Sequence, residues 1–538
     1  MPKRKAVQPL QRLCLENIAK NMQLFWAKDY TDNYLDEYQF RYIMGPFSEL
    51  AGSLVQELLQ LMGERRCLTR AVLHLLVVPQ LKELSLSACP KLVSKAITQI
   101  ITVRCKNLSS LDLQGCSRIP TDALVDLMEG LPGLTKLDLS ETQCNTQVLS
   151  AVGSCCQQLR ELDISLCKRL SPASLLHLAY DPTAGSLCCP ALQVLCVDGL
   201  CPTAHSQDLF WVLAFLLLAL PSLKSLENEF LTDALCLIHK QKFKSAPITP
   251  GFPSLEELAR GRMSACADEK SPRLTLPLKE IIEVSEEAVP MVCAVCPHLA
   301  KASVNLEDGR RGLSQTFLSW HHLTHLTLDG SEMRGLRALR EILPVMAHIG
   351  GQLQSLALDG FSADDELSFH TLLGHCPNLR KLSASLFYSA RPRHGEPLKG
   401  DASLPPHKFP QLCDFSLLLS DLHDALLSRQ AVTLRASLVS LLKHSPALET
   451  VHLSCLPFSL DEVFEAVLQP RGAALRHLCD LSLSQCKVSS KAAHLLLSSD
   501  NRLRSLHLYR CPEIHRRDYD KLLRRVGKES LELQIQWD

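Results

Sequence analysis

Residues 81–89 read LKELSLSAC and residues 108–116 read LSSLDLQGC, which puts Leu81, Leu84, Leu86 and Cys89 on the same phase as Leu108, Leu111, Leu113 and Cys116. The phase returns at Leu134, Leu137 and Leu139 (LTKLDLS) and at Leu159, Leu162, Ile164 and Cys167 (LRELDISLC), so the first four copies start 27, 26 and 25 residues apart. Later copies start at Leu192, Leu223, Leu323, Leu353, Leu379, Leu412, Leu448, Leu478 and Leu503, with weaker ones near Leu255 and Leu299. The last two restore the full pattern, LCDLSLSQC ending at Cys486 and LRSLHLYRC ending at Cys511.

Each copy implies one structural unit. Leucines at L-x-L spacing lie on one face of a short strand, because strand side chains alternate. The stretch that follows carries apolar residues at helical spacing, as Ile119, Leu124 and Leu127 do in IPTDALVDLMEGLP. One strand and one helix cannot hide these apolar faces alone, so the units must stack. A period of 25 to 27 residues is that of leucine-rich repeats. The expected fold is therefore α/β, a leucine-rich-repeat solenoid of about fourteen units over 71–538, with a parallel sheet inside and helices outside. Cysteine suits the turn after the strand, being small and apolar with a weak S–H donor. The positions of Cys89, Cys116, Cys167, Cys486 and Cys511 resemble the cysteine-containing repeats of F-box receptors and of the Zyg-11 and Zer-1 families. Proline-rich stretches at 240–273 and 389–410 break the period and read as loop insertions.

Composition narrows the function. Lys+Arg and Asp+Glu are both 57, so no global charge attracts nucleic acid or an acidic membrane. The 23 cysteines could suggest a secreted disulfide scaffold, but MPKRKAVQPL lacks a signal peptide's apolar core, so reduced thiols in the cytoplasm or nucleus are expected. Pro2-Lys3-Arg4-Lys5 reads either as a short nuclear import signal or as plain solubilising charge. The longest apolar run, Leu209 to Leu220, is shorter than the roughly 18 to 20 residues that cross a bilayer, and reads as a buried repeat helix.

The first 70 residues lack the repeat and read as a helical segment. In PLQRLCLENI, Leu10, Cys14 and Ile18 recur every fourth residue on one helical stripe, while Leu13, Ala19, Leu24 and Phe25 add apolar surface elsewhere. Such a helix has two sides to cover, one against its own chain and one against a partner. The segment resembles the elongin B/C box of cullin-RING ubiquitin-ligase receptors, [S/T/P]-Leu-x-x-x-Cys-x-x-x-aliphatic, at every fixed position. The resemblance implies that Leu10 enters an apolar pocket on elongin C with Cys14 and Ile18 alongside. It also implies a cullin-touching motif further on, for which Pro46, Leu50 and Leu54 in IMGPFSELAGSL are the candidates; Pro46 stands one residue early relative to the usual core. An N-terminal box followed by leucine-rich repeats is similar to the arrangement in the Zyg-11 and Zer-1 receptors. Two other readings compete: a plain helix capping the first repeat, and an F-box-like segment resting on PFSELAGSLVQELLQLM.

Nothing in the sequence points to catalysis: there is no Gly-rich phosphate loop, no nucleophile elbow and no HExxH. No metal, cofactor or small-molecule substrate is expected. Cys293 and Cys296 (CAVCPH) form a single CxxC with His298 nearby, lack a second pair, and match the helix-to-strand corner of a repeat. A non-catalytic scaffold would bind a protein client on the inner sheet face, where the residues between the core leucines emerge. Asp112, Asp138, Glu161 and Asp163 make its first part acidic, and His325, His507 and Tyr509 follow further along. They read equally well as ordinary solvated strand positions.

Overall fold

In the computed structural model, described at 2, 9–34, 45–200, 207–243, 250–265, 274–306, 317, 319–330, 337–363, 365, 367–387, 405–420, 428–469 and 474–538, the L-x-L leucines line up across parallel ladders. The chain divides into two compact units, one built on Gln8–Ile281 with Ala294–Pro297, the other on Ile282–Cys293 and His298–Asp538.

In the first unit, strands β1 (Glu83–Ser85), β2 (Ser110–Asp112), β3 (Lys136–Asp138) and β4 (Glu161–Asp163) are followed by Val194–Cys196 and Ser225–Glu227 in a six-stranded sheet whose order follows the chain. All neighbours are parallel, and Leu84, Leu111, Leu137, Leu162, Leu195 and Leu226 stand in register. None of the six is more than 3% exposed. Each buried leucine contributes about 1.5–3 kcal/mol relative to exposure, which is what holds a three-residue strand in place. Helices return the chain between strands, and those at Thr121–Gly130 and Thr146–Cys155 pack side by side.

The second unit has an eleven-stranded sheet, ten strands in single file and the short Arg337–Ala338 beside Ser355–Ser362. Leu326, Leu356, Leu382, Phe415, Val451, Leu481, Leu506 and Ile535 form its register line. The repeat cysteines are buried where the turn follows the strand, and the thiols of Cys167, Cys486 and Cys511 donate to the carbonyls of Leu139, Leu453 and Leu483 in the preceding unit, at 3.1, 3.5 and 3.5 Å.

Three expectations change. Leu255 begins a helix, Leu255–Ala265, rather than a strand; the repeat position falls instead at Glu280–Ser285, with Ile281 and Val284 buried. That helix lies inside the expected 240–273 loop and packs on the apolar helix Gln207–Ala219, where Arg262 donates to the carbonyls of Leu217, Leu218 and Leu220 and closes the helix end. The chain also adds a strand the pattern did not mark, Gln534–Trp537. Of the 389–410 insertion, 405–410 are described, with Phe409 fully buried; 389–404 lie outside the described residues, as do 244–249, 266–273 and 3–5.

Among the described residues no helix is long and apolar enough to cross a membrane. Nor do three or more His, Cys, Asp or Glu side chains gather closely enough to hold a metal. Cys293 and Cys296 are both buried at the end of helix Val289–Val295.

Candidate functional site

The N-terminal helices pack onto the first repeat. Helix α1 (Leu10–Asn21) runs through a π-helical turn, Gln23–Ala27, into α2 (Lys28–Tyr34); α3 (Gly52–Glu64) and α4 (Arg70–Leu76) follow. Helix α1 lies against α3, and its Leu15, Ala19 and Met22 are at most 7% exposed. Helix α4 crosses the residue-70 boundary read from the sequence and packs on α5 (Lys95–Arg104), the helix of the first repeat.

Arg104, only 5% exposed, fastens this junction. Its Nη1 donates to the carbonyls of His74 at 2.8 Å and Val77 at 3.2 Å, satisfying the end of α4, with the Tyr30 hydroxyl beside its guanidinium. Burial, and then the Arg104 and Arg70 charges, push His74 down to about 4, so the imidazole is neutral in the fold.

The box residues face the other way. Leu10 is 76% exposed, Cys14 is exposed and Ile18 half-buried, with Leu13 (44%), Leu24 (69%) and Phe25 (64%) extending the same apolar surface. The packed and exposed residues of α1 therefore form two stripes of one helix, the first turned to α3 and the second to solvent. Of the residues the box motif names, Leu10 and Cys14 are exposed and Ile18 is half-buried at the stripe's edge.

Pro46 does not start an α-helix. It opens a single 3-10 turn, Pro46–Glu49, and an extended Leu50 with ψ near 150° separates that turn from α3, which begins at Gly52. Pro46 is exposed while Leu50 and Leu54 are half-buried. Phe47 is buried and meets Trp26 of the π-turn edge-on at 5.8 Å, so the 3-10 turn and the end of the N-terminal helix are packed together. Along the segment read as F-box-like, Phe47, Val55, Leu58, Leu59, Leu61 and Met62 are all buried within the chain.

On the open face of the first sheet, Asp112, Asp138 and Asp163 are adjacent in register, and the row continues to Cys196 and Glu227. The last two were missed, although Glu227 occupies the same position after Leu223 that Asp112 does after Leu108. Each aspartate also closes its own strand end: Asp112, Asp138 and Asp163 accept from the backbone N–H of Gln114, Ser140 and Ser165 at 3.0, 2.9 and 2.9 Å. Burial, with Asp163 and Asp112 on either side, raises the Asp138 carboxyl above its ordinary range despite hydrogen bonds from Ser140. Glu161 lies one row over and is bound to Lys136 at 2.7 Å. A further residue unmarked by the sequence, Leu166, stands 52% exposed at the end of β4 with a positive φ of 57°.

In the second unit, His507 and Tyr509 share strand Ser505–Tyr509, and His452 lies in the His507 row across Ser482. The Ser505 hydroxyl meets His507 Nε2 at 2.6 Å, and the Arg510 guanidinium lies over the Tyr509 ring at 5.0 Å. His325 is exposed between Lys301 and Ser355, with five strands between its own and that of His507, so these two are not brought together. The acidic row and the histidines belong to different units.

No protein-family model matches the chain. Among curated proteins it is similar to F-box/LRR-repeat protein 4 of Bos taurus, with 27% identity over 221 residues, 36% of this chain and 33% of that one. The chain is a leucine-rich-repeat protein. It spans about a third of the length of the curated relative it matches. Among solved structures, similarity extends to the Rad7 and Elc1 complex in yeast, with 15% identity over 95% of this chain and 96% of that one at a TM-score of 0.39. It extends also to the leucine-rich-repeat protein LegL7 from Legionella pneumophila (15% identity, 55% and 88% covered, TM-score 0.31) and to the mouse RP105/MD-1 complex (14% identity, 85% and 71% covered, TM-score 0.34).

Proposed function

We propose that this chain is a non-catalytic, substrate-recruiting receptor of a cullin-RING ubiquitin ligase in the cytoplasm or nucleus. Elongin C docks on α1 at Leu10, Cys14 and Ile18, a cullin touches the neighbouring Pro46, Leu50 and Leu54, and a protein client lies on the open sheet faces, with Asp112, Asp138, Glu161 and Asp163 on one and His325, His507 and Tyr509 on the other. The observation that carries this reading is the orientation of α1. A helix that merely capped the first repeat would bury its apolar stripe, whereas here Leu15, Ala19 and Met22 do that work and Leu10 is left 76% exposed. An amphipathic helix laid into an apolar groove is a standard mode of protein recognition, with anchors about one turn apart on one face, as Leu10, Cys14 and Ile18 are. Charge favours a basic client segment on the first sheet, with shape and aromatic anchors setting affinity.

The F-box reading has one observation in its favour, the name of the curated relative, F-box/LRR-repeat protein 4. Against it stands the burial of Phe47, Val55, Leu58, Leu59, Leu61 and Met62 within the chain, which takes most of that segment's apolar side chains out of reach of an adaptor.

Copurification with elongin B/C tests the proposal. The full chain is expected to retain the heterodimer, and Leu10→Ser with Cys14→Phe to lose it; full recovery by that double variant removes the ligase reading. For the client face, Asp112, Asp138 and Asp163 are changed together to Asn, and retention of bound protein equal to wild type discards the acidic row as a contact.

A further inference from the structure

The exposed stripe of α1 does not end where the box ends. Leu24 and Phe25 are 69% and 64% exposed, as open as Leu10, yet they lie on the π-helical turn that follows the regular helix. The turn is closed by the Ala27 N–H donating to the Met22 carbonyl at 2.9 Å, five residues back. One extra residue is thereby taken into the helix. Ala27 and Tyr30 return to the packed face, at 2% and 4% exposure, and Leu24 and Phe25 remain outside. On a regular 100° spacing, Ala27 would instead leave the face that Leu15, Ala19 and Met22 define.

The turn is held from beneath. Trp26 is half-buried, with its ring edge-on to Phe25 at 6.3 Å and to the buried Phe47 at 5.8 Å. Gln23 Nε2 donates to the Cys67 carbonyl and to the Thr69 hydroxyl, both at 3.2 Å. Two adjacent large apolar residues are thus presented to water by a fixed backbone, in line with the box.

From this we infer that Leu24 and Phe25 are a second anchor of the same docking surface, contacting elongin C beyond the groove that takes Leu10, Cys14 and Ile18. The inference rests on the docking reading above and adds a site that the box motif does not contain. Continuity of the stripe along one helix face assigns the occupant. A rigid, pre-positioned aromatic is the residue type that dominates such interfaces.

The test uses the full chain and purified elongin B/C heterodimer in a binding titration. Leu24→Ser with Phe25→Ser is expected to raise Kd at least tenfold, and Phe25→Ala alone, which keeps helix propensity, about three- to tenfold. Leu523→Ser, at a leucine 40% exposed in the helix Arg516–Lys528, is the control and leaves Kd unchanged. Hydrogen exchange over α3 must match wild type in every variant. If Kd stays within twofold for the Leu24 and Phe25 variants while Leu10→Ser with Cys14→Phe abolishes binding, the box reading stands and the second anchor is refuted. If wild type does not bind elongin B/C, both fall. A homodimer in sedimentation that the Leu24 and Phe25 variants disperse, with elongin affinity intact, assigns the residues to a second copy of the chain and also overturns the inference.

Discussion

Replacing Arg104 with Met unfastens the N-terminal module from the first repeat while keeping an unbranched apolar stem in its place, shorter than Arg by the end of the guanidinium. Arg104 is 5% exposed, and Met leaves the carbonyls of His74 and Val77 without their donor. An unsatisfied buried carbonyl costs about 1–3 kcal/mol, and hydrogen bonds from a charged donor are at the stronger end. Relief of the buried charge offsets part of this, so a net loss of about 3 kcal/mol is expected. For a unit of this size that corresponds to roughly 6–12 °C in Tm, at about 2–4 °C per kcal/mol. Hydrogen exchange resolves the site directly: the amides of 70–77 should lose about a hundredfold of protection, at about 1.4 kcal/mol per decade, while those of the second unit do not change. The pH dependence supplies an independent check. His74 is held at about 4 in the fold against about 6.5 unfolded, so between these values the unfolded chain binds the extra proton. Stability contributed by the neutral imidazole is whole above pH 6.5, falls as the pH drops toward 4, and is constant below. Removing the Arg104 charge takes away the second cause of that depression while burial remains, so Arg104→Met should lose less stability over this window than wild type. Equal Tm, equal exchange at 70–77 and an unchanged acid slope would refute the role given to Arg104.

Three further outcomes follow from the packing. Leu137→Ala, at a position 1% exposed in the centre of the first register line, should cost about 2–5 kcal/mol in chemical denaturation, and a loss below 1 kcal/mol would mean the line is not the core. Glu286→Ala removes the carboxylate bonded at 3.1 Å to Arg337, which is 7% exposed, while Glu341 at 3.7 Å remains, and should cost about 3 kcal/mol, the lower end for a broken buried pair; Glu286→Met with Arg337→Met should recover most of it in the same assay. Asp138→Asn removes a carboxylate whose pKa is raised in the fold, keeps an oxygen for the Ser140 N–H, and should give a Tm equal to or above wild type at pH 7, with the difference gone in acid where the aspartate is protonated anyway; a lower Tm at pH 7 contradicts the burial and crowding described for that row.

The strand and helix order was legible because the repeat imposes one demand many times over. Leu84, Leu111, Leu137 and Leu162 each satisfy the same geometry, and agreement among copies outweighs a weak signal in any one of them. Where a copy lacked its neighbours' spelling, the reading slipped. LEELARGRM begins with a leucine on phase and so reads as a weak repeat, but its Leu255, Leu258 and Ala259 are helically spaced and fold as Leu255–Ala265. The true strand there, EIIEVS, carries Ile and Val in place of Leu. The terminal QIQW was passed over for the same reason. Arg104 and Arg262 could not have been found by pattern at all. Each closes a helix distant in sequence, 27 to 45 residues away, and nothing in the local spelling marks a buried arginine.

Helix α1 shows where periodicity stops deciding. Leu10, Cys14 and Ile18 are four apart, and Leu15, Ala19 and Met22 are four and three apart, so both sets satisfy a helical repeat and neither is privileged by spacing. Tertiary contact makes the choice: α1 lies against α3 with Leu15, Ala19 and Met22 buried, whereas Leu10 and Cys14 of the opposite stripe are exposed. The π-turn then preserves the choice through Tyr30, because without its additional residue the packed face would rotate away from α4. A chain that needed α1 only as a cap would gain nothing from keeping four large apolar side chains, Leu10, Leu13, Leu24 and Phe25, in water on a helix so firmly held beneath. That combination of a fixed backbone and an exposed apolar stripe is the ground on which we propose α1 as a docking surface, with elongin C as the occupant to test first.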